Sequence, residues 1–301
     1  MFPFLFSRNQ RQRQSQAIKS QQPKKINANR VVLFTNARDE NNIKEWAAHH
    51  IILGFDNVII FDHKSKEPLK KVFSDFDKRV TVIDGSKLEG QVKFHFMNWA
   101  QRIATVIKAD WFLYLDADEF LVLKPPIKHV KEFLSSFPFQ NASAISLNWL
   151  LFGSNFLDKD PNDLIVNSYT RSEKMLNPHV KTFVLTSAAE KATNPHFYNL
   201  ADNHYQYSFN GLMKYPFCQN VVSKSFHEMP AYIAHYITQS KETYYRRKVN
   251  LPADDTGSKR DVKNIDSIHN SHNEIENYEV RDLFADNIKD FLNLQQGKMQ
   301  D

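Results

Sequence analysis

The chain has 301 residues, 42% of them hydrophobic and 24% charged, enough to bury a substantial core and to exclude a wholly disordered or low-complexity polypeptide. A single cysteine, Cys218, excludes an internal disulfide framework and a zinc site built on cysteine pairs. The net charge of +5 is local: residues 1–30 hold seven of the 39 Lys and Arg and no acid, so the remaining 32 bases face 34 acids. A near-neutral body argues against a nucleic-acid partner.

Residues 1–30 open on Met1-Phe-Pro-Phe-Leu-Phe6, too short an apolar run for a signal-peptide core, and nowhere does the chain reach about 18 uninterrupted apolar residues. The stretch reads as a disordered basic tail, capable of weak contact with a membrane surface, on a soluble cytoplasmic protein.

Beyond the tail, short β-branched runs alternate with helical periodicity. Val31-Val32-Leu33-Phe34-Thr35 predicts a buried strand, and a helix follows with Asn42 and Glu45 at capping-box spacing and Ile43, Trp46, Ala47, His50 and Ile51 on one face. His49 and His50 within it read as packing residues. Strands are expected at 58–61, 80–83 and 111–115, and a helix carries Phe96, Trp99, Ala100, Ile103, Ala104 and Ile107 on one face. This repetition predicts a doubly wound α/β half over about 31–125, with a mostly parallel sheet covered on both sides. After Pro125-Pro126 the pattern predicts a helix near 128–136, a strand near 143–149 and a helix near 239–248. A last amphipathic helix carries Val280, Leu283, Phe284, Ile288, Phe291 and Leu292, and residues 250–277 read as a polar loop.

The seven glycines write no G-x-G-x-x-G and no G-x-S-x-G, and the pair at P-loop spacing, Gly85 and Gly90, runs into Gln91-Val92 in place of Lys-Ser/Thr. Dinucleotide oxidoreductases, P-loop NTPases and α/β-hydrolases are therefore disfavoured. Ligands of open α/β sheets bind beyond the carboxyl ends of the strands. Those ends read Asn36-Ala37-Arg38-Asp39-Glu40, Asp62-His63 and Asp116-Ala117-Asp118-Glu119. Asp116 and Asp118 are two residues apart at a strand end, wedged between apolar runs, so both carboxylates face one place and repel unless a cation joins them. Same-face convergence disfavours a glycosidase pair, whose carboxylates must flank a bond from two sides.

The run NARDENNIKEWAAHHIILGFDNVIIFDHKS at 36–65, followed by DWFLYLDADEFLVL at 110–123, resembles the opening of glycosyltransferases of the family 2 and family 92 type. Further matches are Gly90-Gln91 with Asn98, NWLLFGSN at 148–155, Asn194-Pro195-His196 and HYITQSKETYYRRK at 235–248. The family's Lys-Ser after His-Tyr is Gln239-Ser240 here, and its later R-G is missing. The resemblance implies a GT-A (Rossmann-like) fold: a mostly parallel sheet flanked by helices, an irregular acceptor-side region and C-terminal helices. A catalytic domain would span 31–250, with a nucleotide-sugar half at 31–125 and an acceptor half at 126–250, and 251–301 would form the polar loop and last helix.

The same resemblance implies sugar transfer from a nucleotide donor, UDP-linked by preference, to a hydroxyl of a glycan or glycoconjugate, with inversion and with Mn²⁺ or Mg²⁺ as cofactor. Asp118 would ligate the metal, Asp116 would reach the metal or the ribose, and His235 would be a third ligand or a diphosphate contact. Asp39 and Asp62 would hold the base and ribose, with Asn36, Arg38 and Gln91 on the donor side. Trp149, Gly153, Ser154 and His196 would face the acceptor. Glu190 and Asp202 lie where the catalytic base is expected, Glu190 being preferred. Arg246-Arg247-Lys248 could meet a diphosphate but reads first as a solvated helix end. Two rivals are a sugar-nucleotide nucleotidyltransferase, which lacks its Gly-rich basic loop where NARDENN stands, and a non-catalytic fold that binds carbohydrate or nucleic acid.

Overall fold

The computed structural model describes residues 28–136, 142–201, 205–208, 211–214, 225–259 and 264–297. The basic tail as far as residue 27, Cys218 and Asp202 lie outside the described residues. Arg30 belongs to the body and not to the tail: its guanidinium donates to the Ile107 carbonyl at 2.7 Å and to Asn57 Oδ1 at 2.8 Å, and its backbone N–H donates to Asp110 Oδ2 at 3.0 Å.

The elements run β1 (Val31–Ala37), α1 (Ile43–Ile52), β2 (Asn57–Asp62), α2 (Leu69–Val72), β3 (Val80–Asp84), α3 (Val92–Val106), β4 (Trp111–Tyr114) and β5 (Glu119–Leu123). After these come α4 (Val130–Ser136), β6 (Ala142–Leu151), α5 (Ile165–Ser168), β7 (Arg171–Ser172), β8 (Asn177–Leu185), β9 (Tyr205–Ser208) and β10 (Gly211–Lys214). The chain ends with β11 (Ala231–His235), α6 (Lys241–Tyr244), α7 (Ile265–Asn270), β12 (Ile275–Glu276) and α8 (Glu279–Gly297).

Strands β3, β2, β1 and β4 lie side by side and parallel. Residues alternate between the two faces of each strand, and two cores result. Val31, Leu33, Val58, Ile60 and Leu113 pack with Trp46, Ala47 and Ile51 of α1, where α8 adds Val280, Phe284 and Ile288. Val32, Phe34, Ile59, Phe61 and Phe112 pack on the other face with Phe96, Met97, Ala100 and Ala104 of α3. Strand β8 enters antiparallel between β4 and β6, so the sheet continues beyond the parallel half, and β11 runs parallel to β6 and antiparallel to β5. The result is a mixed α/β fold with a central, mostly parallel sheet between helices. Among the described residues no helix is long and apolar enough to cross a membrane.

Two local expectations need correction. Asn42 makes no side-chain cap on α1, and Glu45 does not close a capping box. Its carboxylate instead accepts from the backbone N–H groups of Ile165 (2.7 Å) and Val166 (3.1 Å), tying α1 to the start of α5. Residues 250–277 are not one loop, since they contain α7 and β12.

Candidate active site at the strand ends

The E-W-x-x-x-H run folds as α1 and braces the segment that follows Asp118. Trp46 Nε1 donates to the Glu119 carbonyl at 2.7 Å, His49 Nε2 donates to the Leu121 carbonyl at 2.8 Å, and His50 Nε2 accepts from Leu121 N–H at 3.3 Å. Both histidines are fully buried, and burial holds His49 down at about 4, so each is neutral at pH 7. The loop between β4 and β5 is therefore fixed from behind, and it is this loop that carries the two aspartates.

Asp116 and Asp118 point into a cleft of about 150 Å³ at the carboxyl ends of β1 and β4, together with Asn36, Arg38, Glu40, Lys93, Arg247, Lys248 and Asp254. The two carboxylates have different surroundings. Asp116 Oδ1 is engaged by Lys93 at the start of α3, and its Oδ2 accepts from Lys181 of β8 at 3.1 Å. Asp118 is 1% exposed, and its Oδ2 accepts from both Arg247 and Lys248 at 3.1 Å. Burial alone would raise Asp118, yet Lys248, Arg247 and His235 outweigh it and hold the carboxyl well below its usual range. Arg247 also pairs with Glu40 at 2.8 Å, and burial raises Glu40 despite that partner. Lys93 is pulled down to about 7 by burial and then by Lys181.

Glu119 turns back from β5 so that its Oε2 accepts from Asp116 N–H at 2.8 Å. It is wholly buried, which pushes it up to about 7 although Lys181 pulls it down. His235 ends β11 with Nε2 3.6 Å from Asp118 Oδ1 and its ring edge-on to Trp149 at 4.4 Å. Burial lowers it to about 4, so the imidazole is neutral near pH 7.

The other expected site residues within the described residues fall into five pairs. Asn36 and Arg38 reach the cleft, but both are held by residues 250–259, which lie across it: Asn36 Nδ2 donates to Asp254 Oδ2 at 2.5 Å, and Arg38 donates to the Pro252 carbonyl at 3.0 Å. Asp254 also faces His63 at 3.7 Å, and burial, which would raise it, is outweighed by His63, Lys93, Arg38 and Asn36. Asp39 and Asp62 sit at the rim and are spent on turns. Asp39 adopts a φ of 54°, a conformation that Asp tolerates, and accepts from Lys66 N–H at 2.7 Å. Asp62 accepts from Ser65 N–H at 3.1 Å and Leu69 N–H at 2.8 Å.

Gln91 and Glu190 lie outside the cleft, on a surface hollow beside Asn98 and Gln101. Glu190 is exposed there, apart from the residues that line the cleft. Of the residues expected to face the acceptor, Trp149 stacks on His179 at 5.2 Å, His196 lies tilted against the same indole at 5.1 Å, and His235 meets it edge-on at 4.4 Å. Gly153 and Ser154 point elsewhere: Ser154 is fully buried and donates to the His269 carbonyl at 2.6 Å, and Gly153 lies against the Asn273 amide. Both serve the docking of residues 269–273 and do not line the cleft.

Lys93, Lys181, Glu40 and Asp254 escaped the sequence reading, and Arg247 and Lys248, read as solvent-facing, turn inward. A lysine inside the apolar strand VKTFVL, and another at the buried start of α3, were the available signals.

Among the described residues no three His, Cys, Asp or Glu side chains stand ready-made around a metal, and both oxygens of Asp116 are engaged by lysines. Asp118 Oδ1, buried without a hydrogen-bond partner, and the facing His235 Nε2 nevertheless present two donors at the separation of neighbouring ligands on a divalent ion. Magnesium-type ions are commonly held by one or two protein groups plus substrate phosphates, so this pair fits such an ion.

No curated protein matches the chain. Among solved structures it is similar to TarS residues 1–349 of S. aureus in complex with UDP, at 11% identity and a TM-score of 0.34 over 60% of each chain. It therefore spans about three fifths of that structure's length. It is also similar to HddC of Yersinia pseudotuberculosis, at 11% identity and a TM-score of 0.35, covering 72% of this chain and 96% of the other. The family model described as glycosyltransferase family 92 matches residues 32–283, well over half of the sequence and all of the cleft residues named above. The chain belongs to glycosyltransferase family 92.

Proposed function

We propose that the protein transfers a sugar from a nucleotide donor, UDP-linked by preference, to a hydroxyl of a glycan or glycoconjugate, and that a divalent cation, Mn²⁺ or Mg²⁺, assists. The observation that carries this reading is the convergence of Asp118 with Arg247, Lys248 and Lys93 at the carboxyl end of β4. A cleft that already gathers cations around one deeply buried carboxylate is electrostatically suited to a leaving diphosphate. Asn36 and Arg38 would contact the nucleoside, and Lys93, Arg247 and Lys248 the diphosphate. Asp118 and His235 would hold the cation, which supplies Lewis-acid neutralisation of the leaving group. Asp116 contributes by fixing Lys93 and Lys181.

A cleft of about 150 Å³ is smaller than the roughly 300 Å³ that small-molecule sites begin at, so residues 250–259 give way when a donor enters. Inversion follows the family resemblance and would need a base at the acceptor hydroxyl, a role for which Glu190 and Asp202 are the candidates from the sequence. The test is release of UDP from UDP-sugars with Mn²⁺ and an acceptor glycan, the product anomer being read by NMR. Asp118→Ala should lower kcat/KM by about 10³-fold, the scale of removing a group that stabilises developing charge. Wild-type turnover in that variant would refute the assignment.

A further inference from the structure

Glu119 and His235 are direct partners across the antiparallel β5–β11 pair, so their side chains leave the sheet on the same face and stand side by side. The register is pinned by the next bond along, in which Tyr236 N–H donates to the Asp118 carbonyl at 2.9 Å. Three buried polar atoms without a hydrogen-bond partner then cluster around the imidazole: Glu119 Oε1, His235 Nδ1 and Asp118 Oδ1. Glu119 Oε1 faces His235 Nδ1 at 3.9 Å, and on the far side of the ring Nε2 faces Asp118 Oδ1 at 3.6 Å. Leaving three such atoms unpaired is costly. A small rotation of one ring satisfies the first contact, and a cation between Nε2 and Oδ1 satisfies the second.

We infer that Glu119 is a positioning residue that fixes the His235 tautomer, its Oε1 accepting a hydrogen bond from Nδ1–H so that the Nε2 lone pair points at Asp118 and at whatever cation binds there. This rests on the metal-assisted reading above and adds a residue to it. A neutral histidine offers a lone pair on only one ring nitrogen, and the partner of the other nitrogen decides which. A carboxylate behind a ligating histidine does this in known metal sites. Glu119 is well placed because its second oxygen is committed: Oε2 accepts from Asp116 N–H and lies 3.4 Å from Lys181. The carboxylate therefore cannot turn, and Oε1 remains aimed at the ring.

Glu119→Gln makes the sharpest prediction. The Asp116 N–H and Lys181 demand an oxygen at the Oε2 position, so the glutamine must present its NH₂ to His235. That forces Nδ1 to accept and moves the ring proton to Nε2, where it blocks the cation. The experiment is ¹⁵N–¹H correlation NMR on histidine-labelled protein at pH 8.5 without metal, above the value of about 7 to which burial lifts Glu119, together with Mn²⁺ titration of the UDP-bound protein followed by electron paramagnetic resonance. The wild type should carry its His235 proton on Nδ1 and the variant on Nε2. Mn²⁺ affinity should fall roughly 10- to 100-fold in the variant, while UDP affinity without metal is unchanged. An Nε2-protonated His235 in the wild type overturns the inference without any variant, as does an unswitched tautomer in Glu119→Gln. If the wild type takes up no Mn²⁺ at all, the metal reading fails, and the tautomer still decides the role of Glu119.

Discussion

Residues 31–123 and residues 142–259 contribute to the same cleft by different routes. The first stretch follows the rule of parallel sheets: Asn36 lies within the last two residues of β1, and Arg38, Asp116 and Asp118 lie just past the carboxyl end of a strand. The second follows no single rule. Lys181 sits in the middle of an antiparallel strand, His235 at the end of β11, Arg247 and Lys248 in a wide helical turn at Tyr245–Val249, and Asp254 in the segment that crosses the cleft. The charges differ as well. The first stretch brings an excess of acid, with Glu40, Asp116, Asp118 and Glu119 against Arg38 and Lys93. The second brings an excess of base, with Lys181, Arg247 and Lys248 against Asp254. Each is electrostatically incomplete without the other, so the cleft is also where the two stretches are bound together.

Breaking that union at Arg247, which serves two carboxylates of the first stretch at once, should have the largest effect. Arg247 is 8% exposed at its side chain and serves both Glu40 and Asp118. Arg247→Met leaves two buried carboxylates short of a partner, for which about 3–5 kcal/mol of stability should be lost. Lys248→Met removes the same charge from a side chain that is 19% exposed, and Arg247 remains to hold Asp118, so the loss should be near 1 kcal/mol. Calorimetric unfolding of the two variants side by side is the measurement. Equal losses would mean that the two stretches are not joined through Arg247.

A second link is Glu45, which reaches from α1 to the N–H groups that open α5, and whose carboxyl is pushed up to about 8, chiefly by burial. With a folded value above the unfolded one, the native state binds more protons between pH 4.5 and 8, so stability is greatest at the low end and declines as pH rises. At about 1.4 kcal/mol per unit, the decline between pH 5 and pH 7 is roughly 3 kcal/mol. Glu45→Gln removes the titration, but its amide nitrogen cannot accept from the second N–H, so its Tm should lie below the wild type near pH 5.5 and the gap should narrow towards pH 8. His49 contributes in the opposite sense, its share being full above 6.5 and lost as pH falls towards about 4. An unchanged pH profile in Glu45→Gln would mean that this carboxylate is not the link.

The same contrast explains what could be read from the sequence. Alternation and apolar runs are local signals, so β1 to β4, α1, α3 and α8 were legible, and so was the pair of aspartates, which declares itself within three residues. The cations were not. Lys181 and Asp116 are 65 residues apart and Arg247 and Asp118 are 129 apart, and no spacing rule connects a carboxylate to a base that reaches it only after the sheet has closed. Glu45 and Asn42 show the converse error. Their spacing fits a capping box, yet a distant pair of N–H groups claims the carboxylate, because two buried backbone donors at the start of α5 have no other acceptor.

Gly153 offers the smallest and most discriminating test. Read from its neighbours Trp149 and Phe152, it belongs to an acceptor-facing loop, and an added methyl there would weaken acceptor binding while leaving the fold alone. In the structure a Cβ at 153 would collide with the Asn273 amide. That amide cannot easily retreat: its oxygen accepts from Asn155 N–H at 2.9 Å and its nitrogen donates to the carbonyls of His269 and Ser271 at 3.2 and 2.9 Å. Gly153→Ala should therefore cost about 1–3 kcal/mol, the usual range for overpacking a well-filled site, and should leave the KM for acceptor unchanged in whatever fraction remains folded. A raised acceptor KM at wild-type stability would return Gly153 to the cleft and would mean that residues 269–273 dock elsewhere.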